Sequence, residues 1–172
     1  MSNQSKEPAS RFRGVDAPTA SGIESALKVL VGINLTGVCL FGGYATHLYF
    51  GNSERKQYLA IECPWRFSRK GMHLIGSGDA DPETPGITEL EARFESMIAT
   101  NSLKILDVKA DSLGGIKLYF QAEHQFELFP SSVTKMEWLF RGPEGLTLMY
   151  NEGSLCRKVP VDLESPPPVY RE

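Results

Sequence analysis

The chain lacks most of the features that announce a function. Lys and Arg number 18 against 21 Asp and Glu in 172 residues, a net charge of −3, and no basic stripe runs through them. A phosphate backbone demands such a stripe, so nucleic acid is not the expected partner. Cysteine is scarce: Cys39, Cys63 and Cys156 are an odd set without CxxC or Cys/His ligand spacing. They read as free thiols in a reducing, cytoplasmic setting, with neither a disulfide framework nor a metal site. Residues 1–22 hold no apolar core of a secretory signal. There is no P-loop, dinucleotide-binding glycine fingerprint, nucleophile-elbow serine, HExxH or calcium loop. Catalysis is therefore not expected, and no cofactor is implied.

One run, residues 29–53, is free of Asp, Glu, Lys and Arg and is long enough to cross a bilayer. It carries five glycines. The segment that matches it further along has Asp107, Lys109, Asp111 and Lys117 at corresponding positions, which a bilayer rejects. No membrane is expected.

What is present is an internal repeat. At a fixed spacing of 70, Leu35, Val38, Leu48, Tyr49 and Phe50 fall on Ile105, Val108, Leu118, Tyr119 and Phe120 without a gap. Trp65-Arg66-Phe67 returns as Trp138-Leu139-Phe140, and Gly71-Met72-His73-Leu74-Ile75 as Gly145-Leu146-Thr147-Leu148-Met149. Ahead of each copy, Ser21-Gly22-Ile23-Glu24 and Thr88-Glu89-Leu90-Glu91 match the S/T-x-x-E capping box. Helical stripes follow: Ile23, Ala26, Leu27 and Leu30 in one copy, Leu90, Phe94, Met97 and Ile98 in the other. Gly32 and Asn101 stand where a left-handed residue would end each helix. Period-two alternation then marks strands, with turns at Gly42-Gly43 and Gly114-Gly115. The expected fold is α+β: two tandem helix-plus-antiparallel-strand units, residues 21–77 and 88–150, mostly β with two helices, in one domain over 21–159. Chance likeness between two amphipathic α+β segments is the alternative. Residues 1–20 read as a disordered tail and residues 160–172 as a Pro-rich disordered tail of extended polyproline II character, neither with an apolar face. The second holds Pro167-Pro168-Val169-Tyr170, the PPxY form that WW domains take.

The candidate site comes from where the copies diverge. If Ser68-Arg69-Lys70-Gly71 closes a two-residue hairpin loop, Phe67 faces Met72 and Trp65 faces Leu74 on the core side. Arg66 then lies opposite His73, and Glu62 opposite Ser77, on the other face. The second copy has Leu139, Thr147 and Lys135 at the positions of Arg66, His73 and Glu62. A duplicated scaffold needs its core twice but a site once, so Glu62, Arg66 and His73, with Asp79 to orient them, form the expected binding patch. Drift on an exposed sheet face is the competing explanation. The carboxylates of Asp79, Asp81 and Glu83 read as a solvated loop before a helix. His47 and His73 read as surface strand residues, and His124 as part of a hairpin turn. Cys63 reads as inert, and Trp65 and Trp138 as core anchors.

Trp65-Arg66 with Leu74-Ile75-Gly76-Ser77-Gly78-Asp79, then Phe126-Glu127-Leu128-Phe129-Pro130 and Glu137-Trp138, resembles a group of small uncharacterised bacterial proteins. Some of these are encoded beside polymorphic toxins and are suspected immunity proteins. The resemblance covers residues 32–153 and implies no catalytic residue. With the acidic balance it implies a cytoplasmic protein that binds another protein, and the net charge would speed its encounter with a basic toxin. Two other readings stay open: a small-ligand binder or small enzyme using Arg66 and His73, and a structural protein that forms homodimers through a sheet edge.

Overall fold

The computed structural model describes residues 13–14, 19–42, 44–52, 57–80, 87–101, 103–131, 135–151 and 154–158. In chain order they form β1 (Arg13–Gly14), α1 (Ala20–Leu27), β2 (Leu35–Gly42), β3 (Ala45–Phe50), β4 (Gln57–Ile61), β5 (Trp65–Arg69) and β6 (Met72–Gly76). There follow α2 (Ile87–Asn101), β7 (Ile105–Ala110), β8 (Ile116–Phe120), β9 (His124–Leu128), β10 (Met136–Arg141), β11 (Thr147–Asn151) and β12 (Ser154–Lys158). The fold is α+β and mostly β. One sheet runs β1-β12-β11-β10-β4-β3-β2 and the other β6-β5-β9-β8-β7, with antiparallel pairing throughout the described strands. The described residues of the run 29–53 therefore include two strands and a short helical turn. Among the described residues no helix is long and apolar enough to cross a membrane.

The chain changes sheet twice, after β4 and after β9. The smaller sheet thus holds β7, β8 and β9 from the second half of the chain and the β5-β6 hairpin from the first. The larger holds β2, β3 and β4 from the first half and β10-β11 from the second, extended by β12 and β1. Pairing registers repeat as well. Val38 opposes Leu48 and Leu40 opposes Thr46, while Val108 opposes Leu118 and Ala110 opposes Ile116, each 70 positions further along. A bulge interrupts the first pair between Leu35 and Gly37 and the second between Ile105 and Asp107. Where the halves meet, the Leu35 amide donates to the Leu103 carbonyl and the Ile105 amide to that of Ile33, on either side of an Asn34–Lys104 bridge.

Alternation decides the inside. Leu48, Phe50, Phe67, Leu118, Phe120, Phe126, Trp138 and Phe140 are almost wholly buried between the sheets. Ile23, Leu27 and Leu30 from the first helical segment and Phe94 from α2 are fully buried, and Ile98 nearly so. Phe94 lies 4.8 Å from the Phe67 ring centre. Trp138 stacks on Tyr150 and donates its indole N–H to the Gly114 carbonyl at 2.8 Å. Gly114 has φ +83°, and a Cβ there would stand 2.5 Å from the Tyr150 ring. Gly114→Ala is expected to cost about 1–3 kcal/mol through strained backbone and displaced ring, read as a lowered Tm in calorimetry.

The helix starts differ from the capping boxes. α1 is capped by Thr19, whose hydroxyl accepts from the Gly22 amide, so Ser21 lies inside the helix. α2 begins at Ile87, which puts Thr88 inside it too. The box glutamates do other work. Glu24 accepts from the Ala110 amide on β7 at 3.0 Å, and Glu91 from the Leu40 amide on β2 at 3.1 Å. β2 and β7 each form one edge of their sheet, so each helix satisfies an edge amide that solvent or another chain would otherwise take. Gly32 adopts φ +87° as expected of a terminator, whereas Asn101 is the last helical residue. Inside the stretch read as an N-terminal tail, Arg13–Gly14 pairs with β12, so for those residues that reading is corrected. Residues 160–172, with the PPxY segment, lie outside the described residues.

Candidate functional site

The outer face of the β6-β5-β9-β8-β7 sheet carries a row of charged side chains set directly across from one another. Arg66 on β5 opposes Glu127 on β9, Glu127 opposes Lys117 on β8, and Lys117 opposes Lys109 on β7. Such cross-strand neighbours interact because the pleat brings their Cβ atoms within contact range. Glu127 is the centre: 7 % of its side chain is exposed, against 51 % for Arg66 and 36 % for Lys117. Arg66 Nε donates to one carboxylate oxygen of Glu127 and Lys117 Nζ to the other. Burial alone would raise the Glu127 carboxyl, but the hydrogen bonds and charges of Arg66 and Lys117 outweigh it and hold the group below its ordinary range. Arg66 is steadied from outside by Phe129, whose ring centre is 5.0 Å from the guanidinium carbon.

A depression of about 200 Å³ opens beside this row, lined by Arg66, Ser68, His73, Lys117, Gln125 and Glu127. A second, of about 240 Å³, continues past Lys117 and Glu127 toward Asp111. Donors dominate the first: a guanidinium, an ammonium, a hydroxyl and a carboxamide surround one carboxylate whose oxygens are already engaged. The face can accept an oxygen-rich group, a carboxylate above all.

Three of the four expected residues meet here. Arg66 and His73 share the depression, and Asp79 Oδ2 stands 3.4 Å from His73 Nε2 while accepting from the Gly76 amide at 2.8 Å. The register differs from that expected. The turn is Lys70-Gly71, with φ +50° and +76°, and Arg69 opposes Met72. Phe67 therefore opposes Ile75, a bulge absorbs Leu74, Ser68 opposes His73, and Arg66 opposes Gly76. The left-handed pair shifts the hairpin by one residue because a type I′ turn fits strand twist. Glu62 stands apart: its amide donates to the Glu137 carbonyl at the crossing between sheets, and its charge acts on His47 of the other sheet. Ser77 instead accepts from the Trp65 amide. His124 is no turn residue; it opens β9, is buried, and stacks on Phe67 at 5.4 Å. Cys63 is buried with its thiol pushed up to about 12, first by burial and then by Glu137, which leaves it protonated.

Glu127 and Lys117 complete the row unannounced by sequence reasoning. A signal existed: Glu127 is a single charge between Phe126 and Leu128, and Lys117 between Ile116 and Leu118. Pairing between β5 and β9 was invisible, because it joins the two halves.

The other sheet's outer face is aromatic. His47 stacks on Tyr58 at 5.6 Å and meets Phe41 edge-on at 4.7 Å, with Tyr49 adjoining both His47 and Tyr58. Burial lowers the His47 pKa, and the weaker pull of Glu62 opposes this. The unfolded chain thus takes up a proton first as pH falls through the ordinary histidine value near 6.5. Stability should rise with pH up to about that value and flatten above it. His47→Gln should remove this slope in urea titrations run at a series of pH values.

Compared with protein families, curated proteins and solved structures, the chain has no match.

Proposed function

We propose that the chain is a duplicated scaffold that binds another protein without catalysis, through the charged outer face of the β6-β5-β9-β8-β7 sheet. The repeated registers and the reciprocal bonds of Glu24 and Glu91 support the duplication: superposing the halves would set β2-β3-β4-β10-β11 on β7-β8-β9-β5-β6. The observation that carries the binding reading is the Arg66–Glu127–Lys117 row. Positions related to it by register in the other sheet are Leu139, Ala60 and His47. A core is kept in both halves while ion-paired donors, held by one buried carboxylate, stand in one. Pre-set cations lose little entropy when they meet a partner's carboxylates, which suits recognition. An immunity-like role in the cytoplasm, blocking a toxin, is the form of this function to which the resemblance in Trp65-Arg66 and Phe126-Glu127-Leu128 leads.

The test is quantitative affinity purification from cells that make the protein. Wild type is compared with the triple variant R66Q/K117Q/E127Q, which removes the charges without stranding any of them. A specific protein at least tenfold depleted with the variant is expected; identical partner sets would overturn the assignment. The 200 Å³ depression favours one further reading, a small acidic metabolite seated beside Arg66 and His73. A carboxylate-containing compound that raises Tm in wild type but not in the triple variant would establish it.

A further inference from the structure

We infer that the depression at the start of β2, lined by Gly32, Asn34, Thr36, Gly51, Asn52 and Gln57, is a second ligand site, built for a neutral polyhydroxylated compound of the saccharide class. It encloses about 530 Å³, within the span of about 300–1,000 Å³ in which small ligands are seated. Three carboxamides and a hydroxyl line it, and Gly32 and Gly51, at φ +87° and +80°, add bare backbone. The oxygen of Gln57 points to the occupant. Gln57 Oε1 is buried and has no hydrogen-bond partner. A buried acceptor is costly until an O–H or N–H reaches it. Thr36 Oγ1 donates to the Tyr49 carbonyl at 3.1 Å, which leaves its lone pairs to accept a further donor. Each carboxamide sets an acceptor beside two donors, and neighbouring ring hydroxyls match that set because each both gives and takes. A phosphate or carboxylate would find no countercharge among the described lining residues, in contrast to the depression beside Arg66. An apolar ligand would leave the Gln57 oxygen unmet.

The related corner of the other sheet carries different groups. The Gly51 amide donates to the Asn34 carbonyl, and 70 positions further along the Gln121 amide donates to that of Lys104. By the same spacing Thr36 answers to Leu106 and Asn52 to Ala122. Tyr58 opposes Tyr49 and Gln125 opposes Tyr119, so Gln57 and His124, one residue earlier on each strand, also correspond. His124 Nδ1 donates to the Gln121 carbonyl at 3.2 Å. That nitrogen is met by its own chain, whereas the Gln57 oxygen is not. The uncharged hydrogen-bonding set of Asn34, Thr36, Asn52 and Gln57 thus stands at one corner and is replaced at the other by a lysine, a leucine, an alanine and a bonded histidine.

The experiment is an NMR titration of the full chain, following backbone amides and the Gln57 carboxamide. Glucose, galactose, mannose and N-acetylglucosamine are the probes, with glycerol and inorganic phosphate as controls. At least one sugar should shift the Gly32, Thr36, Gly51 and Gln57 resonances saturably, and neither control should. Gln57→Leu removes the unmet oxygen, and N34A/N52A alters only exposed side chains; the core methyl spectrum checks that both fold. Each should weaken the sugar about tenfold or more, while R66Q/K117Q/E127Q binds it as wild type does. The inference is overturned if none of the four sugars saturates these resonances, or if glycerol moves them equally. It is overturned as well if both pocket variants bind like wild type, or if the triple variant loses the sugar, since the site then lies on the charged face.

Discussion

Replacing Arg66 and Lys117 together by alanine should destabilise the fold by about 3 kcal/mol, whereas removing Arg66, Lys117 and Glu127 together should cost only about 1 kcal/mol. The double variant strands a carboxylate whose side chain is 7 % exposed, and a buried charge without partners is among the larger penalties a substitution can impose. Taking away the carboxylate as well leaves nothing to strand. The half-exposed cations contribute little beyond their pairing, because water screens them. The pH slopes should have opposite signs. In wild type the Glu127 carboxyl is held low, so its contribution is present above the unfolded value near 4.5 and is lost as pH falls through the folded value. In the double variant burial alone acts and raises the group, so the deficit should shrink as pH falls and Glu127 protonates. Urea unfolding from about pH 2.5 to pH 8 reads both effects, the wild-type loss below the unfolded value and the variant's recovery above it. If the triple variant is as unstable as the double, Glu127 is not the centre of the row.

The second large effect is expected at the sheet edges. Glu24→Ala and Glu91→Ala should each cost about 1.5 kcal/mol, the worth of a partly exposed hydrogen bond to a charged group. The two costs should be nearly equal, since the Ala110 and Leu40 amides occupy matching places on β7 and β2. They share no partner and should add to about 3 kcal/mol in the double variant. Gln at either position keeps an acceptor and should recover about half. Freed edge amides invite pairing between chains, so the double variant should also self-associate on dynamic light scattering at concentrations where wild type does not.

The sequence disclosed what depends on periodicity and concealed what depends on contact between halves. Alternation over residues 45–50 and 116–120 located strands and their buried faces, and the spacing of 70 located matching strands. The glutamates of both capping boxes were visible as a pair, but local chemistry assigned them to their own helix ends. Their partners lie 86 and 51 residues away, a separation no local pattern encodes. The divergence of Arg66 and His73 from Leu139 and Thr147 pointed to the face on which the charged row stands. The hairpin register was off by one because Lys70, rather than a glycine or asparagine, takes the first left-handed position. Glu62 was drawn into the patch by an assumed continuation of β5, whereas Cys63 and Pro64 carry the chain between sheets.

A photoreactive side chain placed at residue 125 and, separately, at residue 58 tests the central claim most directly. Gln125 and Tyr58 stand at corresponding places on the two outer faces, opposite Tyr119 and Tyr49. After irradiation in cells that make the protein, the probe at 125 should yield an adduct with one other protein, lost in R66Q/K117Q/E127Q, and the probe at 58 should yield none with that protein. Capture of the same partner from 58, or an adduct at 125 that survives loss of the charges, would contradict the assignment of binding to the charged face.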